Sequence, residues 1–369
     1  MRPRRSSRRS IWTDRIGPCQ LWIAALCLAA CGDDLPTICA GDRDAEEVVD
    51  VFWGTLDEEY ALFDIRLDEA EHGSWADVGR AACDEVVADG SDASVFAALV
   101  TMARTLDDGH IQLESDFDDA DGWASVYPYI DEMETLRAHA EASYAGAPLM
   151  LDGNGTHAWG RIGDVGYWSI TQMEALSATG EEEDDVGQAE RIADTVVAEL
   201  ADTAGIIVDV RANDGGYDRV SLAIAERFVG ARTLAWQKAL RDGPDHLDFT
   251  AYRDTEVGDA VAGAYDGPVV VLTSGATFSA GETFVLAMRV RDRVTVLGER
   301  SSGHFSDLYE DELPNGWSFC FSGERYRAAG GEIYEAAGVP VDVEVAFDSD
   351  ALGEGTDVML DAALAELSP

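Results

Sequence analysis

Lysine is almost absent from this sequence. The 369 residues include a single lysine, Lys238, and 26 basic residues in all, against 72 aspartates and glutamates, for a net charge of −46. A protein with so negative a potential repels nucleic acid and anionic membrane surfaces. The composition therefore argues against DNA or RNA binding, and any membrane attachment must come from lipid rather than from charge.

No apolar run is long enough to form a membrane-spanning helix. The run at residues 21–30 follows six arginines and ends just before Cys31. A basic region, a short apolar run and small residues before a cleavage point are typical of a secretory signal peptide, here residues 1–30. Leu28-Ala29-Ala30-Cys31 resembles the bacterial lipobox, which implies that Cys31 becomes the acylated first residue of a lipoprotein. The alternative is an ordinary signal peptide with an incidental cysteine.

Cysteine is scarce beyond the predicted signal peptide. With Cys31 assigned to the lipid, Cys39, Cys83 and Cys320 remain, and their spacing matches no zinc motif. An oxidising compartment allows one disulfide among the three, and the sequence leaves open which pair forms it. Because no metal-ligand cluster or nucleotide-binding loop is evident, we predict no metal and no cofactor.

The hydrophobic fraction of 46% is enough for a substantial core. After a polar tether at residues 31–45, we predict a small helical N-terminal domain at residues 46–110, in which apolar residues recur at helical spacing from Val48 to Tyr60. Two further helices are predicted at residues 75–87 and 93–106, the second capped by Ser91 or Asp92.

Strands and helices alternate in the second half of the chain. A connecting segment at residues 111–160, with a predicted helix at 131–144, leads into a core at residues 161–369. The predicted strands are 165–170, 205–210, 268–272 and 294–297, and the predicted helices are 188–200, 218–228 and 280–290. This alternation predicts an α/β fold with a mainly parallel sheet.

Two segments follow predicted strands at the edge where α/β sheets place their sites. The first, residues 211–216, ends in Gly215 and Gly216, which let backbone amides turn toward a ligand. Its alternative is a tight turn that binds nothing. The second segment brings Ser279 to the start of a helix, where a serine is either an N-cap or a nucleophile.

A nucleophilic serine needs a base, and the sequence contains six histidines. His110 follows Asp107-Asp108-Gly109, an acidic turn that could hold an imidazole at a domain junction. A structural role is the alternative for each histidine.

Together these segments resemble the tail-specific, or C-terminal-processing, serine peptidases. They are most similar to the branch that contains the tricorn protease core and the interphotoreceptor retinoid-binding protein modules. The motifs that carry the resemblance, in chain order, are Asp108-Gly109-His110, residues 208–216, Thr277-Phe278-Ser279-Ala280-Gly281-Glu282, residues 298–303 and residues 334–340. The resemblance implies a crotonase/ClpP-like β-α spiral core preceded by a small helical domain.

The resemblance also implies roles for individual residues. Ser279 attacks the carbonyl carbon, and His110 accepts its proton and later returns it to the leaving amine. Glu335 completes the charge network. The backbone amides of Gly216 and Ala280 form an oxyanion hole.

Several departures from the family pattern narrow the mechanism. The processing-protease branch uses a lysine base, but His304 stands at that position, 25 residues after Ser279, and Lys238 lies upstream. A Ser–His mechanism is therefore favoured, with His304 either a second histidine in the cleft or a surface residue. Gly109 replaces the serine that precedes the histidine in the tricorn core. Residues 111–160 are too short for an inserted PDZ domain.

The leading hypothesis is an exported, lipid-anchored serine peptidase of the bacterial cell envelope. It would face the periplasm or the cell exterior and act on peptides or unfolded chain ends. The second hypothesis is a non-catalytic protein on the same fold that binds a hydrophobic small molecule or peptide. An esterase or another acyl-transfer enzyme with the same serine chemistry is the third.

Overall fold

The computed structural model describes residues 35–41, 43–115, 135–258 and 264–368. The predicted signal peptide, Cys31 and the first part of the predicted helix 131–144 lie outside these residues. Within the described ranges, no helix is both long enough and apolar enough to cross a bilayer.

The helices and strands have the following bounds. The helices are α1 Asp44–Glu59, α2 Phe63–Arg66, α3 Glu69–His72, α4 Trp75–Ala88, α5 Asp92–Arg104, α6 Leu136–His139, α7 Glu182–Leu200, α8 Asp218–Ala225, α9 Ala280–Arg289, α10 Ser349–Gly353 and α11 Val358–Glu366. The strands are β1 Gln112–Glu114, β2 Met150–Leu151, β3 His157–Ile162, β4 Val165–Ile170, β5 Ile206–Asp209, β6 Thr233–Leu240, β7 Arg253–Val257, β8 Val269–Thr273, β9 Val294–Gly298, β10 Leu308–Glu312, β11 Ser318–Ser322, β12 Glu324–Ala328 and β13 Val343–Glu344.

The chain divides into two compact units that are interleaved in sequence. Of the described residues, the first comprises those up to residue 115 together with residues 240–249 and 307–324, and the second comprises the rest. The first unit therefore contains the N-terminal helices and also two segments that come from much later in the chain.

The first unit packs α1, α4 and α5 around a buried aromatic core. The rings of Phe52 on α1 and Phe319 on β11 lie 4.7 Å apart between centroids. Helix α5 begins at Asp92, one residue before its predicted start, and its cap is Ser91, one of the two predicted residues, whose hydroxyl accepts the N–H of Ser94 at 3.4 Å. β1, β11 and β10 form a three-stranded antiparallel sheet in this unit.

A disulfide joins Cys39 to Cys83 on α4 in the first unit. It closes a loop across 44 positions of sequence. The cross-link ties the segment before α1 to the helical core. It stabilises the fold mainly because it limits the conformations that the unfolded chain can adopt.

The second unit is built on a seven-stranded sheet in the order β13-β9-β8-β5-β4-β3-β2. The pairs from β13 to β4 are parallel, and β3 and β2 add an antiparallel edge. Along β5, Ile206 and Val208 face one apolar cluster while Ile207 faces another. Because successive side chains point to opposite faces, both faces of the sheet are buried, which confirms the predicted α/β fold with a mainly parallel sheet.

Some predicted boundaries are wrong. Helix α7 begins at Glu182, six residues before its predicted start at residue 188. The added turn consists of four acidic residues, which are stabilised by the positive end of the helix dipole but add nothing to an apolar pattern. Helix α8 ends at Ala225 rather than at residue 228, and the end of the predicted helix 131–144 is a π-helical turn, Ala140–Tyr144.

Candidate active site

The loops that follow β5 and β8 lie at the same edge of the sheet. The two strands are parallel neighbours, with Asp209 paired to Leu272. The chain after β5 turns at Asn213, and its carbonyl accepts the N–H of Phe278 in the loop after β8 at 2.9 Å. Parallel pairing therefore brings Gly215 next to Ser279, although 64 positions of sequence separate them.

Ser279 has an unusual backbone conformation at the N-cap of α9. Its dihedral angles are φ 52° and ψ −119°. These angles match the first central position of a type II′ turn, which glycine usually occupies. A side chain persists there only when the surroundings hold it, and such strain is concentrated at functional sites. Ser279 is half-buried, so part of the residue remains accessible to solvent.

Gly215 and Gly216 are required at their positions. Both have positive φ, 103° and 128°. A Cβ on Gly215 would lie 2.8 Å from Cβ of Ser279, and one on Gly216 would lie 2.4 Å from the carbonyl carbon of Met173. Gly215 therefore allows the backbone to pass directly against the Ser279 side chain, and Gly216 allows it to pass against Met173, with no room for a larger residue at either position.

The N–H groups of Gly216 and Ala280 are available to a ligand. Within the described part of the chain, neither N–H donates a hydrogen bond. Ala280 is the first residue of α9, where backbone N–H groups have no partner inside the helix. Ala280 follows Ser279 directly and Gly216 follows Gly215, which packs against Ser279, and N–H donors beside a serine can stabilise an oxyanion.

Asn213 holds the glycine loop in place. Its side chain is fully buried; Oδ1 accepts the N–H of Gly215 at 3.0 Å and Nδ2 donates to the carbonyl of Ile170 at 3.1 Å. Together with the bond from Phe278, these contacts connect the loop after β5 to both neighbouring segments. Sequence reasoning did not single out Asn213.

A second residue that sequence reasoning missed is Glu282, in the first turn of α9. Its buried carboxylate accepts the N–H of Ser279 at 3.2 Å and that of His304 at 2.8 Å. Burial raises the pKa of Glu282 to about 7, although its hydrogen bonds to Ser301, His304, Gly303 and Ser279 each lower it. The Ser-x-x-Glu spacing of a capping box could have identified it.

His304 is buried against the loop that precedes Ser279. Its ring lies 5.1 Å from that of Phe278, and its Nδ1 is 2.8 Å from Oγ of Ser302. Glu335 lies beside the same loop, where Oε2 accepts the N–H of Phe305 at 2.8 Å. His304 is therefore not a surface residue, and both side chains are in the second unit with Ser279.

His110 lies in the first unit, just before β1. Its N–H donates to Oδ1 of Asp108 at 2.9 Å, and its Nδ1 lies 3.8 Å from the same oxygen. Tyr60 donates its hydroxyl to the other oxygen of Asp108 at 3.0 Å. Burial lowers the pKa of His110, against an opposing effect of Asp108, so the imidazole is neutral at neutral pH.

A buried ion-pair cluster lies at the end of β5. Arg211 is fully buried and donates to both carboxylate oxygens of Asp209, at 2.9 and 2.7 Å, and to both of Asp357, at 2.9 Å each. Its carbonyl accepts the hydroxyl of Ser274 at 2.6 Å. This cluster fixes the chain two residues before Asn213.

Comparison with known proteins identifies the family. Residues 164–345 match the model of peptidase family S41. The chain belongs to this family. S41 members are serine peptidases, so the protein is a serine-type peptidase that acts on peptide or protein substrates. The match includes Gly216, Ser279, Ala280 and Glu335, whereas His110 lies before it.

Solved structures resemble nearly the whole chain. A protein from Parabacteroides merdae, described as a candidate peptidase, is 27% identical, with a TM-score of 0.73 over 89% of this chain and 98% of its own. A lipoprotein from Streptococcus agalactiae is 13% identical, with a TM-score of 0.56 over 89% of this chain and 97% of its own. Mature CPAF, solved with lactacystin, is 10% identical, with a TM-score of 0.62 over 88% of this chain and 98% of its own. The last two show similarity of fold alone.

Proposed function

We propose that this S41 peptidase hydrolyses peptide bonds with Ser279 as nucleophile and His110 as base. The observation that carries the proposal is the strained Ser279, which packs against Gly215, so that the N–H groups of Gly216 and Ala280 belong to the residues that follow the two halves of this contact. A serine that served only as a helix cap would have no need of a positive φ, because ordinary caps adopt extended backbone angles.

The proposed reaction begins with transfer of the Ser279 hydroxyl proton to Nε2 of His110 as Oγ attacks the carbonyl carbon. The N–H groups of Gly216 and Ala280 stabilise the oxyanion, and one such donor is typically worth about 3 kcal/mol of barrier. His110 then gives the proton to the leaving amine, and water repeats the sequence to release the acyl group. The lowered pKa of His110 favours this role, because only a neutral imidazole accepts a proton.

Lysine is not the base in this proposal. Nζ of Lys238 lies 3.2 Å from the hydroxyl of Tyr326 and 5.3 Å from the centre of its ring. Tyr326 in turn donates to Asp218 at 2.9 Å. These contacts give Lys238 a structural role on β6.

Glu335 is proposed to complete the charge network of the site. Its carboxylate accepts the N–H of Phe305, and it thereby supports the loop that carries His304.

Fluorophosphonate labelling tests the nucleophile. The purified domain without residues 1–30 should become labelled, Ser279→Ala should not, and His110→Ala should react far more slowly because its serine lacks a base. Ser91→Ala is the matched control: Ser91 is also an N-cap serine, but its φ is −72° and its hydroxyl caps a helix. This variant should be labelled like the wild type.

The outcomes separate the competing functions. Labelling at Ser279 with cleavage of an unfolded protein supports the peptidase. Labelling with turnover of p-nitrophenyl esters but no peptide cleavage would support the esterase. An unlabelled wild type that binds a hydrophobic ligand would contradict catalysis and support the binding protein.

We further propose that the protein is exported and anchored by lipid at Cys31. The basic, apolar and lipobox-like sequence of residues 1–31 supports this, and a disulfide such as Cys39–Cys83 is the kind of bond that persists outside the cytosol. The anchor would hold the protein in the bacterial cell envelope, facing the periplasm or the exterior.

The anchor predicts the mass and location of the mature protein. In a bacterial host, the membrane fraction should contain a form that begins at Cys31 and carries acyl chains, detected by mass spectrometry of the N-terminal peptide. Cys31→Ser should abolish acylation and leave the protein outside that fraction. A wild type with an unmodified Cys31, or with a different first residue, would refute the proposal.

A further inference from the structure

Glu282 binds four donors with one buried carboxylate. Oε1 accepts the hydroxyl of Ser301 at 2.6 Å and the N–H of Gly303 at 2.7 Å. Oε2 accepts the N–H of Ser279 at 3.2 Å and that of His304 at 2.8 Å. A single side chain therefore connects the nucleophile backbone to the loop 301–304.

We propose that ionised Glu282 is a positioning residue that holds Ser279 and the loop 301–304 in their reactive arrangement, and that its protonation switches the peptidase off. This inference rests on the proposed function of Ser279. Glu282 does not touch the substrate in this proposal and acts only through the backbone that it binds.

The donors require the ionised form. Three of the four are backbone N–H groups, which can only donate, so each needs a lone pair on Glu282. A proton on Oε2 would face the N–H groups of Ser279 and His304. On Oε1 it would displace the N–H of Gly303 or reverse the bond to Ser301, whose hydroxyl also accepts the N–H of Val339 at 2.7 Å. Protonation of either oxygen therefore breaks at least one of the hydrogen bonds that hold Ser279 and the loop 301–304.

Burial makes this protonation accessible near neutral pH. It raises the pKa of the Glu282 carboxyl to about 7, so the active form is lost as the pH falls through that value. Among the described residues, the titratable groups on the segments that contact Glu282 or its neighbours include His304 on the loop, Glu335, which binds Phe305, and Asp218 on α8, which accepts the hydroxyl of Thr283 at 2.8 Å. His110 titrates at lower pH, because burial lowers its pKa.

The test compares the rate of Ser279 labelling and of peptide hydrolysis from pH 5 to pH 9 in four variants. Glu282→Gln places an NH₂ group against at least one backbone N–H whichever way the amide lies. Its kcat should fall by roughly 100-fold, the loss expected from a misplacement of about 1 Å. Its remaining acid limb should move to lower pH, because Glu282 no longer titrates.

Two further variants, Glu282→Asp and Ser301→Ala, test the inference independently in case Glu282→Gln does not fold. The aspartate keeps the charge but shortens the reach, so kcat should be partly restored relative to Glu282→Gln. Ser301→Ala removes a bond that lowers the pKa of Glu282, so the pH of half-maximal activity should rise. This pH midpoint can be measured whatever the maximal rate of the variant is.

Asp185→Asn is the matched control. Asp185 is a fully buried carboxylate in the first turn of α7 and accepts the N–H of Ser177 at 2.7 Å. Its neutralisation should leave the pH midpoint unchanged, whatever its effect on stability.

Two results would overturn the inference while leaving the proposed function intact. One is a wild type that is labelled at Ser279 but whose midpoint is the same in Ser301→Ala. The other is a folded Glu282→Gln variant with wild-type kcat and midpoint. A wild type that is not labelled at any pH would instead contradict the proposed function.

Discussion

Ser279→Gly should produce an inactive protein that is more stable than Ser279→Ala. Both variants lack the hydroxyl, and loss of a serine nucleophile lowers kcat on the order of 10⁶-fold in a serine peptidase. The two variants differ in backbone strain. Alanine must keep the φ of 52° with a Cβ, whereas glycine adopts this conformation without penalty.

The matched pair at Ser91 isolates the strain. Glycine is also a better N-cap than alanine, so Ser91→Gly should exceed Ser91→Ala in stability at an ordinary φ. The free-energy difference between glycine and alanine at position 279 should be larger than the difference at 91 by roughly 1 kcal/mol or more. Urea unfolding of the four variants measures both differences.

Two findings would contradict this prediction separately. Equal glycine-to-alanine differences at 279 and 91 would mean that Ser279 stores no strain. Peptide hydrolysis by either position 279 variant at a rate near that of the wild type would mean that Ser279 is not the nucleophile.

Arg211→Met should lower the free energy of unfolding by about 3–5 kcal/mol. The substitution preserves much of the side-chain volume but leaves Asp209 and Asp357 buried without their cation, and breaking a buried pair in this way costs about that much. Arg211→Lys should also destabilise the protein, because an ammonium group cannot form the paired bonds that the guanidinium makes with each carboxylate.

Activity should fall with stability in Arg211→Met. The carbonyl of Arg211 accepts the hydroxyl of Ser274 in the loop between β8 and α9, and Asn213, two residues later, positions Gly215. Movement of this segment would shift the N–H of Gly216 away from the position proposed for it in the oxyanion hole. Even at temperatures where the variant remains folded, we expect a lower kcat.

Arg161→Met is the control for the loss of an ion pair. Arg161 and Asp202 form a salt bridge on the surface, with side chains 43% and 79% exposed. Exposed pairs contribute about 1 kcal/mol or less, so this variant should unfold close to the wild type. Thermal and urea unfolding compare the two substitutions. Similar losses for Arg161→Met and Arg211→Met would show that the buried cluster contributes no more than a surface pair.

Local sequence was sufficient where the structure depends on local chemistry. The alternation of apolar strands with helices predicted the α/β fold, because a parallel sheet needs helices to cover its faces. The strand Val165–Ile170 and the start of α9 at Ala280 agree with the prediction to the residue. Ordered motifs, rather than any single residue, indicated the peptidase family.

Other features depend on residues that are distant in sequence. No local sequence signal predicts that residues 240–249 and 307–324 pack with the N-terminal helices. The sequence of a short segment does not indicate which distant part of the chain it will contact. The acidic first turn of α7 was missed since it lacks apolar periodicity.

Sequence by itself determined the fold class, the family and the candidate nucleophile Ser279, because hydrophobic periodicity and short motifs are properties of neighbouring residues. Only the tertiary structure decided that Ser279 is strained and that Gly215 packs against it. It also decided that the carboxylate of Glu282 connects Ser279 to the loop 301–304 by hydrogen bonds. Those contacts arise where parallel strands bring separate loops to one sheet edge. Burial, which raises the pKa of Glu282 and lowers that of His110, likewise depends on the packing of the whole unit around each side chain.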